Sequence, residues 1–376
     1  MHGYIERQEQ SRKNVAGWKR ALENMVMKSF WHGKNVLLTG HTGFKGSWLA
    51  EILLSFGANV TGCALAPDRS DDLFNLCKLN DQLDHYIVDI RNKSELLRIF
   101  LNKTPDVVFH LAAQPLVIRS YNEPVITWDT NVMGTINIME CLRILDKRCA
   151  VVMVTTDKVY EISEKSLPRS ENDHLGGHDP YSSSKAAMEI AVSSWRRSFF
   201  AQSEIKISTA RAGNVIGGGD WSNNRIIPDL IKALHHNTDI ELRNPGAVRP
   251  WQHVLEPLFG YLKLAKALYF DERDVYQAGF NFGPDPKLIA TVGDLVSEAC
   301  KVWGGKTRRT VRRIKEHEAP FLSLDSTKAR DLLGWEPKWD FSQTVFHTVN
   351  WYKSYLQGND ATSLIKEQIY AYAEAV

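Results

Sequence analysis

Three glycines, at positions 40, 43 and 46, sit between an apolar run and a segment of helical period, and they constrain this chain more than any other feature. Val36-Leu37-Leu38-Thr39 leads into Gly40-His41-Thr42-Gly43-Phe44-Lys45-Gly46-Ser47-Trp48, and apolar periodicity continues through Phe56. The order is strand, turn, helix. Gly40 allows the tight turn, Gly43 lets the backbone approach a pyrophosphate, and Gly46 lets helix and strand pack closely. The anion then rests on free N–H groups at a helix N-terminus, so a nucleotide is expected here. The spacing excludes a phosphate-loop NTPase: four residues after Gly40 that motif requires Gly-Lys, and this chain has Lys45-Gly46.

A chain of 376 residues exceeds what one compact core usually holds, so two lobes or one large domain with insertions are expected. A net charge of +2, with 24% charged and 43% hydrophobic residues, is that of an ordinary globular protein. It argues against a nucleic-acid binder driven by phosphate neutralisation. The basic run Arg308-Arg309-Thr310-Val311-Arg312-Arg313-Ile314-Lys315 alternates with apolar residues and reads as a strand with one wet face. The cysteines, at 63, 77, 141, 149 and 300, are odd in number and form no C-x-x-C pair, so neither a zinc ribbon nor a disulfide framework is expected and a reducing cytoplasm fits. Residues 1–29 carry many charges and no signal-peptide core, and read as an extension, helical from Val15 to Met27 or disordered. No apolar run is long enough to span a bilayer, so no membrane partner is expected.

Strands are expected at Asn59 to Leu65, His85 to Ile90, Asp106 to Ala113 and Ala150 to Thr156, with helices at Ser94 to Asn102 and about Val125 to Leu145 between them. Such alternation implies an α/β fold, a doubly wound parallel sheet whose ligands sit at the carboxyl ends of the strands. Four short segments fall at those ends: Gly40 to Gly46, Asp89-Ile90, Leu111-Ala112-Ala113-Gln114 and Thr155-Thr156-Asp157-Lys158. After Arg211 the alternation loosens, as expected of a smaller lobe built from discontinuous segments.

Pro180-Tyr181-Ser182-Ser183-Ser184-Lys185 opens a helix expected to run from Tyr181 to Phe200. Tyr181 and Lys185 are four apart and share a face. An ammonium beside a phenol lowers a pKa that starts at about 10, toward the range of a general base. Thr156, Asp157 and Lys158 place a hydroxyl, a carboxyl and an ammonium at the sheet's binding edge, where they can bond a substrate and move protons. No histidine pair has helical ligand spacing, so no metal is expected; His110 and His253 read as core or surface residues, and His235-His236 as solvated side chains pointing apart.

With these segments and Arg211-Ala212-Gly213-Asn214-Val215, the chain resembles the extended short-chain dehydrogenases/reductases and, among them, the CDP-glucose 4,6-dehydratases. The resemblance runs from about Phe30 to Tyr355 and is carried by the glycine turn, Thr155-Thr156-Asp157-Lys158-Val159-Tyr160, Gly217-Gly218-Gly219-Asp220-Trp221 and Arg249-Pro250-Trp251-Gln252-His253-Val254-Leu255-Glu256-Pro257. It implies a Rossmann-type lobe over 30–212 and a mainly substrate-binding α/β lobe over 213–360, followed by a tail over 361–376. It further implies NAD as cofactor and CDP-D-glucose as substrate, oxidised at C4, dehydrated across C5 and C6, and reduced at C6. Tyr181 would remove the C4 hydroxyl proton, with Lys185 tuning it and holding the nicotinamide ribose. Thr156 would bond the C4 oxygen and Asp157 would protonate the departing C6 hydroxyl. Lys158 stands where the dTDP-glucose dehydratases carry a Glu that serves as the C5 base. Either burial or neighbouring cations tune it as the base, or it stabilises the enolate while another group takes the proton. Gly40, Thr42, Gly43, Phe44, Lys45, Gly46, Asp89, Ile90, Leu111, Ala112, Ala113 and Gln114 would line the cofactor, and Asn214, Arg225 and Arg249 the nucleotide-sugar. A homo-oligomer through a four-helix interface is also implied, with Val125 to Leu145 and Tyr181 to Phe200 as the candidate helices, and O-antigen synthesis as the pathway.

NAD enzymes usually carry an acid at the end of the second strand. Here that strand ends in Ala64-Leu65-Ala66-Pro67, with Asp68-Arg69 slightly late, and an Arg there could instead accept the 2′-phosphate of NADP. Two rival readings are a nucleotide-sugar 4-epimerase, which shares the Tyr/Lys pair but needs no acid to expel a C6 hydroxyl, and a non-catalytic dinucleotide sensor, which needs none of the set.

Overall fold

The computed structural model describes residues 27–162, 167–271, 274–288, 290–311 and 319–375. Most of the 1–29 extension, including the helix expected from Val15, and the second half of the basic run at 308–315 lie outside them. Seven parallel strands form the central sheet: β1 Asn35–Thr39, β2 Asn59–Ala64, β3 Asp84–Ile87, β4 Val107–His110, β5 Cys149–Val154, β6 Ile205–Ala212 and β7 Gly279–Phe282. Their spatial order is β7-β6-β5-β4-β1-β2-β3. β1 pairs on one side with β2 (Val36 opposite Val60) and on the other with β4 (Leu37 opposite Val108), so the winding reverses beside β1 and opens a crevice there.

Alternate residues of the buried strands feed two separate cores, as a sheet covered on both faces requires. Val36 and Leu38, Val107 and Phe109, and Val152 and Val154 pack in one core, while Leu37, Val108, Val151 and Met153 pack in the other. Helix α1, Phe44–Ser55, sits on the first face. Helix α2, Lys93–Lys103, covers the second, and its start is fixed by the Asn92 side chain accepting from Glu95 N–H. Helix α3 comprises Pro124–Trp128, a π-helical turn at Asp129–Met133 and Gly134–Leu142; the expected helix is there, but with that widened turn within it. Helix α4, Pro180–Ser198, starts on a capping Asp179 that accepts from Ser182 N–H, with Pro180 in the first turn.

Beyond β6 the sheet pattern gives way to short strand pairs: Val215–Ile216 with Gln252–His253, Ile240–Leu242 with Arg309–Val311, and Val248–Arg249 with Ala290–Thr291. Arg309–Val311 is a strand as expected, but all three residues, Val311 included, are exposed, so it is not wet on one face alone. Helices α5 Ile226–His236 and α7 Val292–Trp303 accompany these pairs, whereas α6 Leu255–Phe270 and β7 return to the large sheet. Helix α8, Phe341–Leu356, packs on α7. The stretch expected as a tail is an ordered helix, α9 Ala361–Glu374, because Ile365, Ile369 and Tyr372 recur at helical spacing and bury against the first core.

Candidate active site

The turn between β1 and α1 has the form its glycines require. Gly40 adopts φ +75°, and a Cβ on it would stand 2.7 Å from Ala112 N, so the turn touches the end of β4. A Cβ on Gly46 would stand 2.1 Å from the Gly40 carbonyl oxygen, so this glycine serves helix–strand packing. Gly43 differs: a Cβ there would meet nothing closer than 3.5 Å, leaving its outer side open for a ligand's approach. The Thr42 hydroxyl donates to Leu65 O, and Ser47 Oγ to His41 O and Gly43 O, which fixes the loop. His41 points inward instead, bonded to His85, with its pKa lowered to about 3 by burial and then by His85.

Below this turn opens a cavity of about 340 Å³. Thr156, Asp157, Lys158, Tyr181 and Lys185 line it together with Phe44, Lys45, Leu111 and Ala113. β5 delivers the first three at its carboxyl end, and α4 presents Tyr181 and Lys185 one turn apart. An adjoining cavity of about 410 Å³ shares Lys158, Asn214, Arg225 and Arg249 with the first, so the three residues expected on the substrate side stand at the wall common to both. Asp89, Ile90, Ala112 and Gln114 are on the same sheet edge but do not line either cavity. Asp89 is paired with Arg91 at 2.6 Å, Ile90 packs under Gly134, and the Gln114 side chain is tied to Leu116 and Thr127.

The electrostatics correct one expectation. Lys185 does not lower the Tyr181 phenol: its ammonium donates to Val154 O at 3.1 Å and contacts Met188 Sδ. Burial pushes Tyr181 up to about 12, opposed by a hydrogen bond with Thr156 and reinforced by the Asp157 charge. Burial also brings Lys185 down to about 8, with Glu189 pulling the other way. The Thr156 hydroxyl donates to Asp157 Oδ1 at 3.1 Å and accepts from Lys158 N–H. Asp157 Oδ2 is buried and has no hydrogen-bond partner among the described residues. A Cβ at Gly213 would come within 2.9 Å of that oxygen, so the glycine makes its room. Arg225 donates to Asp220 Oδ2 at 2.8 Å, which holds its fork at the cavity wall.

A model of the GDP-mannose 4,6 dehydratase family matches residues 37–348, the span that holds every one of these side chains. The chain belongs to this family. Among its relatives is a CDP-glucose 4,6-dehydratase of Salmonella typhimurium, 42% identical over 357 residues and covering 93% of this chain and 99% of that one. A UDP-glucose 4-epimerase of Mycoplasma pneumoniae is 26% identical over 80% of this chain and 91% of its own. Of solved structures, a dTDP-glucose 4,6-dehydratase of Streptomyces venezuelae with NAD and TYD bound superposes with a TM-score of 0.73 at 25% identity, covering 85% of this chain and 97% of that one. A UDP-glucose 4-epimerase of Thermotoga maritima with UDP-glucose gives 0.75 at 24% identity over 86% and 99% of the two chains, a likeness of fold.

Within the family fold, several site residues escaped sequence reasoning. Asp220 lies in the triple-glycine segment already singled out, yet its function of holding Arg225 needed the fold. Tyr261, which accepts from Lys45, carries no local signal on its helix. Glu189, one turn beyond Lys185, pairs with Arg211 beneath the site and takes hydrogen bonds from Thr155 and Thr209. The two cavities have the volume of small-molecule sites. The open side of Gly43 and the N-terminus of α1 suit a dinucleotide's phosphates.

Proposed function

We propose that this family member is an NAD-dependent hydro-lyase converting CDP-D-glucose to CDP-4-keto-6-deoxy-D-glucose and water. Asp157 carries the reading: a buried carboxyl with one free oxygen faces the same cavity as Tyr181, and an epimerase needs no such acid. The CDP-sugar follows from the 42% identical relative, whose name specifies that substrate. Bound NAD supplies a hydride sink and source, taking hydrogen from C4 and giving it back at C6.

The residues then divide the work. Tyr181 Oη, acting as the phenolate, takes the C4 hydroxyl proton, and Thr156 Oγ1, already bonded to Tyr181, holds the C4 oxygen in line. The C4 ketone makes the C5 proton acidic; Lys158 Nζ, at the wall of both cavities, removes it or steadies the enolate. Asp157 Oδ2, in its protonated form, gives its proton to the leaving C6 hydroxyl. Lys185 holds the nicotinamide ribose; Gly40, Thr42, Gly43, Phe44, Lys45 and Gly46 cradle the pyrophosphate; and the edge from Asp89-Ile90 through Leu111 to Gln114 frames the rest of the dinucleotide. Asn214, Arg225 and Arg249 face the nucleotide-sugar, where Arg forks suit a diphosphate. Arg69 is engaged through Nε and Nη2 by Asp71, which favours NAD over NADP at the end of β2.

Residues 30–212 make the dinucleotide lobe and 213–360 mainly the substrate lobe, with α6 and β7 returning to the sheet. The described cysteines are free, in keeping with a reducing cytoplasm, and no described helix is long and apolar enough to cross a membrane. O-antigen deoxysugar synthesis is the pathway that fits such a product. Incubation with NAD and, separately, CDP-glucose, UDP-glucose and dTDP-glucose tests the reading. The expected result is an alkali-induced absorbance and loss of one water with CDP-glucose; turnover of none of the three refutes it.

A further inference from the structure

Tyr181, Lys185 and Glu189 stand four residues apart on α4 and so share one face of the helix. The second and third of them grip the end of β5 at consecutive residues: Lys185 Nζ donates to Val154 O at 3.1 Å, and Thr155 Oγ1 donates to Glu189 Oε1. Glu189 is in turn held by the fork of Arg211 on β6, Nε to Oε1 at 2.9 Å and Nη2 to Oε2 at 2.8 Å, and both side chains are buried. The remaining arm of the guanidinium, Nη1, donates to Tyr160 Oη at 2.8 Å, and that hydroxyl donates onward to Asn281 Oδ1 of β7. Thr155 precedes, and Tyr160 closes, the short turn that carries Thr156, Asp157 and Lys158. One ion pair therefore holds that turn at both ends.

Resting on the dehydratase reading above, we propose that the Glu189–Arg211 pair is a positioning device that sets the acid Asp157 at a fixed separation from the base Tyr181. Tyr181 works at C4 and Asp157 at C6 of one sugar, so the two must keep a constant spacing although they sit on different elements. The hydrogen bonds inside the turn are local, from Thr156 to Asp157 and from Lys158 N–H to Thr156, and they leave its placement against α4 open. Thr155 and Tyr160 supply that placement through the pair. A buried ion pair adds little net stability, because desolvation offsets the attraction, but one with all three guanidinium nitrogens engaged fixes geometry. Burial opposes the charge on Glu189, yet Arg211, and then Thr155 and Thr209, hold its carboxyl below its ordinary value, so the pair stays ionised.

The test removes one tether at a time from the full-length protein and follows turnover of CDP-glucose with NAD. In Thr155→Val and in Tyr160→Phe, which keep the side-chain shape, kcat is expected to fall about 10–100-fold, the scale of a misplaced catalytic group, while KM for the sugar nucleotide and the calorimetric Kd for NAD stay within about twofold. Thr155→Ser restores the hydroxyl and is expected to keep the parental kcat. Thr209→Val takes a hydrogen bond from the same carboxylate without touching the turn, and is also expected to keep it. Thr155→Val combined with Tyr160→Phe is expected to fall no further than the worse single variant, since either loss frees the same turn. Should Tyr160→Phe fold poorly, Thr155→Val with its Ser rescue and the Thr209→Val control carries the test. Parental kcat in Thr155→Val or in a folded Tyr160→Phe, equal losses in Thr155→Val and Thr209→Val, or losses that multiply in the double variant overturn the inference and leave the dehydratase reading standing. A parent protein that turns over none of CDP-glucose, UDP-glucose and dTDP-glucose overturns the dehydratase reading, and the inference with it.

Discussion

Tyr181 and Lys185 share one face of α4, yet the ammonium bonds the Val154 carbonyl while the phenol is raised by its burial. The pairing was legible from a spacing of four; the direction of the pKa shift was not, because it depends on what covers the phenol. The same holds for Asp157, whose position after β5 was readable but whose free, buried oxygen was not. Asp157→Asn keeps the shape and removes the proton. Its kcat is expected to fall by about 10²–10⁴-fold while deuterium from solvent still enters at C5. Lys158→Met is expected to lose that exchange, and exchange at the parental rate rejects a direct role for Lys158. Beneath them Glu189 and Arg211 form a buried pair at 2.8 Å. Glu189→Ala strands the guanidinium and is expected to cost about 3–5 kcal/mol in urea denaturation.

At the scale of elements, the strand–turn–helix unit at β1 and α1 was the most readable part of the chain, since its glycines answer local steric demands. They answer different ones. Gly46→Ala drives a Cβ into the Gly40 carbonyl and is expected to lower stability by about 1–3 kcal/mol or more. Gly43→Ala is expected to keep the melting temperature and weaken NAD binding, measured by calorimetry. The clasp on α9 was not readable, because its partners are remote: Glu256 of α6 accepts from Trp339 N–H, Lys338 N–H and the Tyr372 hydroxyl. Burial outweighs these donors and raises the Glu256 carboxyl to about 7 from its ordinary 4.5. The folded state thus holds the proton more tightly than the unfolded chain. Its contribution is full below about 4.5 and is lost as pH rises to about 7, by about 3 kcal/mol. Glu256→Gln is expected to flatten that slope in urea titrations across pH.

For the molecule as a whole, α3 and α4 pack side by side and leave Val125 79% and Ile190 60% exposed, with Trp128 and Met133 also open. A contact between copies of the four-helix kind that the resemblance implies would cover these side chains. Val125→Glu with Ile190→Asp is expected to yield a smaller species in light scattering, with the fold retained by circular dichroism. By itself the sequence determined the parallel order of strands and helices, the glycine turn, the Tyr181/Lys185 pair and the strand-end trio. Each of these is written in spacings of two to four residues, where steric and periodic rules act. Only the tertiary structure decided that Lys45 reaches Tyr261, that Asp220 holds Arg225, that α9 is a packed helix, and that burial rather than Lys185 governs Tyr181. Those depend on desolvation and on contacts between residues far apart in the chain, which no local pattern encodes.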